Sequence, residues 1–291
     1  MLFLFRLLSV WPLGLLHALG AAMGWVTFAL SPTYRRRFVA NAAQAGYSFG
    51  EVRAAVGHAG RMVFEMPRIW LGRLPHCTLV NQACVERAYA AGKGVVFLTP
   101  HIGCFELSVQ CAAQQWSATH GEITVLYRPA RQAWLAHILE TARNRSGVKA
   151  VPTTLSGVRQ MIKALRTGAA VGLLPDQVPP QGLGVWSPFF GRDAYTMTLA
   201  ARLALQTGAT VILARCERQP WGRGFTLYLE ELAPPLSSGL EVAVQEINAA
   251  MERTIRACPR QYLWGYGRYK QPRVDKLSPA QSAPASTEEG Q

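Results

Sequence analysis

The sequence predicts an α/β fold: a central mixed sheet flanked by helices, preceded by an N-terminal hydrophobic helix. Three observations carry this. Short β-rich runs at Val95–Leu98, Glu122–Pro129, Ala169–Leu174, Ala209–Cys216 and Phe225–Leu232 alternate with longer helical patterns. Three of those runs end at a proline beside a polar group, in Thr99-Pro100-His101, Tyr127-Arg128-Pro129 and Pro175-Asp176-Gln177. Finally, no charged residue stands between Leu7 and Leu30.

In chain order, the apolar run comes first. Its 24 residues would cover about 36 Å as one helix, enough to span a bilayer. Pro12, Gly14, Gly20 and Gly24 weaken it as an ideal span, so an interfacial helix is the rival, and a cleaved leader a third reading. Arg35-Arg36-Arg37 follows, and positive residues favour the cytoplasmic side. The expected division is a membrane anchor over 1–34, one domain over 35–272 and a disordered, polar, proline-bearing tail over 273–291.

Residues 36–66 read as helical around Gly46-Tyr47-Ser48-Phe49-Gly50. That stretch fits GxSxG without the preceding strand that a nucleophile elbow needs, so it reads as a loop. Helices are expected at 105–116, around Trp134 to Ala142, and at 155–167, 196–206 and 239–257. Residues 179–191, rich in Gly, Pro and aromatics, read as a loop. Arg260 to Lys270 is an aromatic-basic closing segment.

The chain of 291 residues is 49% hydrophobic and 16% charged, with 30 Lys and Arg against 17 Asp and Glu, for a net charge of +13. Such an excess favours a polyanion: anionic headgroups, an acidic protein or nucleic acid. The six cysteines show no metal-ligand spacing and read as reduced, mostly buried thiols. No GxGxxG or Walker A stretch follows a strand.

His101 and Glu106 are the candidate catalytic pair. In one regular helix they would lie about 140° apart, at about 100° per residue. They meet only if His101 precedes the helix and Glu106 stands in its first turn, with Gly103 permitting the turn. A carboxylate holding one imidazole nitrogen leaves the other as a general base for a hydroxyl. In open α/β sheets, ligands gather outside the carboxyl ends of the strands, which brings Arg128 and Asp176 to the same region. Cys104 beside His101 is a weaker nucleophile candidate.

Over roughly Leu7 to Pro272 the chain resembles the lipid A late acyltransferases, the lauroyl/myristoyl transferases of Gram-negative inner membranes and distant relatives of the glycerolipid acyltransferases. The resemblance rests on Arg35-Arg36-Arg37 with Asn41, His101-x4-Glu106, Tyr127-Arg128-Pro129, Pro175-Asp176-Gln177, Pro188-Phe189-Phe190-Gly191 and Gln261-Tyr262-Leu263-Trp264, in that order. It implies a glycerolipid-acyltransferase-like sheet, His101 as general base, Glu106 as its orienting partner, and Arg128, Asp176 and Gln177 as substrate-positioning residues.

It further implies acyl-acyl-carrier protein as donor, a hydroxyl of a lipid A precursor as acceptor, no cofactor, and an inner-membrane enzyme whose catalytic domain faces the cytoplasm. An acidic carrier protein suits a basic enzyme. Oxyanion donors are sought in backbone N–H groups near Gly103 or in Arg128, and a chain slot among Trp186, Phe189 and Phe190. Where the family often has Trp-x-His-Arg-Arg-Phe-Lys, this chain has Trp264-Gly265-Tyr266-Gly267-Arg268-Tyr269-Lys270. A lysophospholipid or aminolipid is therefore the alternative acceptor. A basic lipid- or nucleic-acid-binding protein without catalysis is the reading from another class, supported by the closing segment; no nucleic-acid partner is expected.

Overall fold

The structure, a computed structural model, describes residues 2–127 and 147–273. Arg128, the helix expected around Trp134 to Ala142 and the tail beyond 273 lie outside the described residues.

The apolar run is two helices, α1 (Leu2–Ser9) and α2 (Leu13–Leu30), broken where Pro12 caps α2. A proline there loses nothing, because the first helical N–H groups have no intrahelical acceptor. At the other end, Arg35 donates to the carbonyls of Phe28 and Ala29, which α2 leaves open. Ser31 caps α3 (Pro32–Gln44) by accepting from Tyr34 N–H, with Pro32 in the first helical position. Ser48 then forms a capping box with Glu51 on the short α4 (Phe49–Val52). The stretch read as a loop is therefore a short turn that ends in a helix cap, with Phe49 and Gly50 already helical.

Helix α2 lies along α5 (Ala54–Leu71), and its buried residues Leu13, Leu16, His17, Gly20 and Gly24 form one stripe. Gly60 permits this approach: a Cβ there would run into the carbonyl oxygen of Gly20. The opposite face of α2 exposes Leu15, Leu19, Met23 and Val26.

The seven-stranded sheet has the order β1-β9-β8-β2-β5-β3-β4. Its strands are β1 (Cys77–Val80), β2 (Val95–Leu98), β3 (Ile123–Tyr127), β4 (Val148–Pro152), β5 (Ala170–Leu173), β8 (Thr210–Arg218) and β9 (Phe225–Glu231). Strands β8, β2, β5, β3 and β4 are mutually parallel, while β9 runs antiparallel to β8 and carries β1 alongside it. The sheet is therefore mixed, as expected. Strands β1 and β4 and the separate hairpin β6 (Gly184–Phe189) with β7 (Arg192–Met197) fall where no strand was expected.

Side chains alternate across the sheet as the two-residue period demands. Val96, Leu98, Val171, Leu173, Val211 and Leu213 face one core with α8 (Leu155–Arg166), α9 (Leu199–Thr207) and α10 (Leu240–Ala257). Val95, Phe97, Ala170, Ile212 and Ala214 face the other with α6 (Ala83–Ala90), α7 (Phe105–His120) and the end of α5. Each such Val, Leu or Ile contributes roughly 1.5–3 kcal/mol by leaving water. Strand β2, buried on both faces, is one of the most firmly held places in the molecule.

Connections out of β2 and β5 diverge. From β2 the chain crosses through α7 to β3, beyond β5 in the sheet. From β5 it passes through the hairpin and α9 to β8, beyond β2. A crevice opens between two parallel strands whose connections part this way, outside their carboxyl ends. His101 and Asp176 follow those two ends.

Candidate active site

Pro100 stops the β2 ladder, since it has no N–H to donate. The turn passes through Gly103, whose φ of +54 suits glycine, and enters α7 at Phe105. Gly103 N–H donates to Gln261 O (3.1 Å), Cys104 N–H to Cys216 O (2.8 Å) and Leu263 N–H to His101 O (3.1 Å). The turn is thus stitched to β8 and to the closing segment.

Asp176 grips His101 twice. The backbone N–H of His101 donates to Oδ2 at 2.9 Å, and Nδ1 lies 2.7 Å from Oδ1. Because an ionised carboxylate only accepts, Nδ1 carries the proton and Nε2 is left as the acceptor. The Gln177 side-chain amide occupies Nε2 at 3.0 Å, which matches that tautomer. Burial would raise the Asp176 carboxyl, but the facing His101 and its two hydrogen bonds outweigh it and hold the carboxyl below its ordinary range. The Tyr262 phenol, pushed well up by burial and by the neighbouring Asp176, stays neutral beside it. The His101 side chain is 15% exposed and that of Asp176 is 2% exposed, so the imidazole is reachable from solvent and its carboxylate partner is not.

This arrangement corrects one expectation and refines another. The carboxylate on the ring is Asp176, where the spacing had suggested Glu106. Glu106 stands in the first turn of α7, as required, but there its carboxylate accepts from the Trp70 indole N–H of α5 at 3.2 Å. Asp176 and Gln177, expected as substrate-positioning residues, are the two hydrogen-bond partners of the imidazole.

The N–H groups of Ile102, Gly103 and Cys104 all have protein acceptors, so they are not free to hold an oxyanion. Cys104 is fully buried, and burial together with the nearby Glu65 pushes its thiol well above the ordinary value, against a nucleophilic role. Phe189 and Phe190 are core residues rather than walls of an open slot. All six cysteines are unpaired thiols, five of them buried. In the closing segment Tyr262, Trp264 and Arg268 are buried, so those residues clamp the core and are not a nucleic-acid surface.

Sequence reasoning missed a second cluster behind the turn. Arg218 makes a bidentate pair with Glu65, Nε to Oε2 at 2.8 Å and Nη2 to Oε1 at 2.6 Å. His17 Nε2 lies 3.0 Å from the same carboxylate. The available signal was a lone glutamate in the apolar stretch Met62-Val63-Phe64-Glu65-Met66, which needs a partner once buried.

The sequence profile of the bacterial lipid A biosynthesis acyltransferases matches residues 49–271. The chain belongs to this family. It is 29% identical over 195 residues to the lipid A biosynthesis lauroyltransferase of Escherichia coli (strain K12), covering 66% of this chain and 61% of that protein. With the palmitoleoyltransferase of the same organism it shares 25% over 189 residues, 64% of this chain and 59% of that one. It also matches the phosphatidylinositol mannoside acyltransferase of Mycobacterium tuberculosis (strain ATCC 25618 / H37Rv), at 27% over 180 residues, 59% of this chain and 55% of that one. The chain therefore spans about three-fifths of the length of the lipid A acyltransferases it matches.

Proposed function

We propose that the protein moves a fatty acyl group from the thioester of acyl-acyl-carrier protein to a hydroxyl of a lipid A precursor. The observation that carries the reading is the partly exposed imidazole of His101, fixed by Asp176 at Nδ1 and met at Nε2 by the Gln177 amide. The acceptor hydroxyl displaces the Gln177 amide from Nε2 and gives up its proton there as its oxygen attacks the thioester carbonyl. The imidazolium, stabilised by Asp176, then returns the proton to the departing thiolate. An ester bond forms, a thioester bond breaks and a thiol leaves. The reaction is redox-neutral and needs no electron-carrying cofactor.

Glu106, in the first turn of α7, holds the Trp70 indole of α5 beside the turn that carries His101. Arg128 follows β3, whose carboxyl end lies next to that of β5, a place suited to binding acceptor phosphate. Arg128→Lys, which keeps the charge but loses the fork, is then expected to lower kcat/KM about tenfold or more; a rate within twofold of wild type puts Arg128 outside the site.

We further propose that the protein works at the cytoplasmic face of the bacterial inner membrane. Helix Leu13–Leu30 is long and apolar enough to span, yet one stripe of it is packed on α5. That favours an in-plane helix with Leu15, Leu19, Met23 and Val26 toward lipid. The phosphatidylinositol mannoside relative keeps a differently built lipid acceptor in play.

The test is mass spectrometry of products from purified full-length enzyme in vesicles. Donors are acyl-acyl-carrier protein or acyl-coenzyme A, and acceptors are lipid A precursor, lysophospholipid or phosphatidylinositol mannoside. Acylated lipid A precursor made from the carrier-protein donor is the expected product. Acylation of another acceptor alone, or from the coenzyme A donor alone, overturns the corresponding half.

A further inference from the structure

The buried cluster behind the catalytic turn has no place in the chemistry above, yet it ends on the backbone two residues from the base. Nη2 of Arg218, besides its bond to Glu65, donates to the Gly103 carbonyl at 2.6 Å. The same peptide unit is held from its other side, where Cys104 N–H meets Cys216 O. Its plane is therefore fixed at both ends. The close approach to β8 needs glycine at 103, because a Cβ there would run into the carbonyl oxygen of Cys216.

Glu65 belongs to α5, Arg218 ends β8, and His17 comes from α2. The chain of contacts thus runs from the N-terminal helix to the turn: His17, Glu65, Arg218, Gly103. The side chains of Arg218 and Glu65 are 1% and 2% exposed. Burial would raise the Glu65 carboxyl, but Arg218 and the hydrogen bonds from His17 and Arg218 bring it down to about 2. A buried ion pair of this kind is weak evidence for stability, since well-packed apolar residues often serve as well. Its cost is better explained by what it fixes.

We propose that Arg218 and Glu65 are positioning residues that hold the Gly103 peptide, and with it His101, in register with Asp176, and that His17 ties this register to the docking of α2. The inference rests on His101 being the base. Seating of the apolar helix then sets the geometry of the base, so a poorly seated α2 leaves an enzyme that binds its substrates but turns over slowly.

The test uses full-length enzyme in vesicles with saturating acceptor and varied acyl-acyl-carrier protein. The double variant Glu65→Leu/Arg218→Met removes both charges together and avoids stranding one. It is expected to unfold within a few degrees of wild type, to lose about 10²-fold in kcat, the cost of an ångström-scale misplacement, and to keep its donor KM within about twofold. His17→Leu is expected to lower kcat about fivefold, the low end of ordinary coupling.

A readout independent of turnover is the hydrogen-bonded Nδ1 proton of His101 in the NMR spectrum, expected to shift or broaden in both variants. A folded double variant with kcat within twofold of wild type and an unmoved Nδ1 proton overturns the proposal. A His17→Leu enzyme with both quantities unchanged overturns the link to α2. Should the double variant fail to fold, Arg218→Lys takes its place: lower kcat at constant KM supports the positioning role, and unchanged kcat overturns it. Wild-type turnover by His101→Ala, with the Nδ1 signal of wild-type enzyme still responsive to Arg218, removes the base and not the positioning.

Discussion

Two histidine–carboxylate pairs lie within this molecule, and they differ in what occupies the rest of each carboxylate and each ring. At His17–Glu65 the carboxylate is saturated by the Arg218 fork, and the histidine meets it through Nε2 inside the protein. At His101–Asp176 the carboxylate holds Nδ1 and the backbone N–H of the same residue, while Nε2 meets only a neutral amide among the described residues. The Glu65 carboxylate cannot give up the Arg218 fork without leaving a buried charge uncompensated. The second can give up Gln177 for a substrate hydroxyl at the cost of one neutral hydrogen bond. On the proposed reading, residue type alone does not make the site; a replaceable neutral partner on the second ring nitrogen does.

The sharpest way to break this comparison is to remove members of the second pair. His101→Ala is expected to lower kcat by about 10²–10⁴ or more with the fold intact, as loss of a general base does. Asp176→Asn is expected in the same range, because the amide reverses the tautomer preference at Nδ1. Steady-state kinetics beside thermal unfolding separates both from misfolding. Glu106→Gln is expected to cost less than Asp176→Asn, since the Glu106 carboxylate is held by Trp70 and the ring by Asp176. If the order is reversed, Glu106 and not Asp176 is the orienting acid.

The first pair sharpens the contrast through stability. The Glu65 carboxyl is depressed to about 2 in the folded chain, against about 4.3 when unfolded. Its contribution is therefore fully present above about pH 4.3 and is lost as pH falls toward 2. Unfolding midpoints should drop between about pH 4.3 and 2 more steeply in wild type than in Glu65→Gln. That variant should also be less stable at pH 7, by about 3–5 kcal/mol, because Arg218 is left uncompensated. Parallel pH curves for the two proteins would show that Glu65 is not held ionised.

Much of this was legible before any coordinates. The strand–Pro–His run, the Pro175-Asp176-Gln177 strand end and the alternation of strands and helices depend on local chemistry, and they stand as expected. What was not legible depends on sheet order. His101 and Asp176 are 75 residues apart and meet only because β2 and β5 are neighbours. Spacing along the chain offers only the near acid, Glu106, so the near acid was chosen. Strand β1 is four residues long with polar Thr78 outside, too short to announce itself, and the hairpin hid among turn-forming residues. Nothing local pairs Arg218 with Glu65, 153 residues away along the chain; the packing of α5 brings them together.

The central claim is that His101 and Asp176 act as one unit. A double-mutant cycle in single-turnover acyl transfer tests it most directly, with full-length wild type, His101→Ala, Asp176→Asn and the double variant compared at saturating donor and acceptor. The account predicts that the double variant is no slower than His101→Ala alone, since the carboxylate has no work to do without its ring. Losses that multiply, with Asp176→Asn slowing the His101→Ala enzyme as much as it slows wild type, would contradict it.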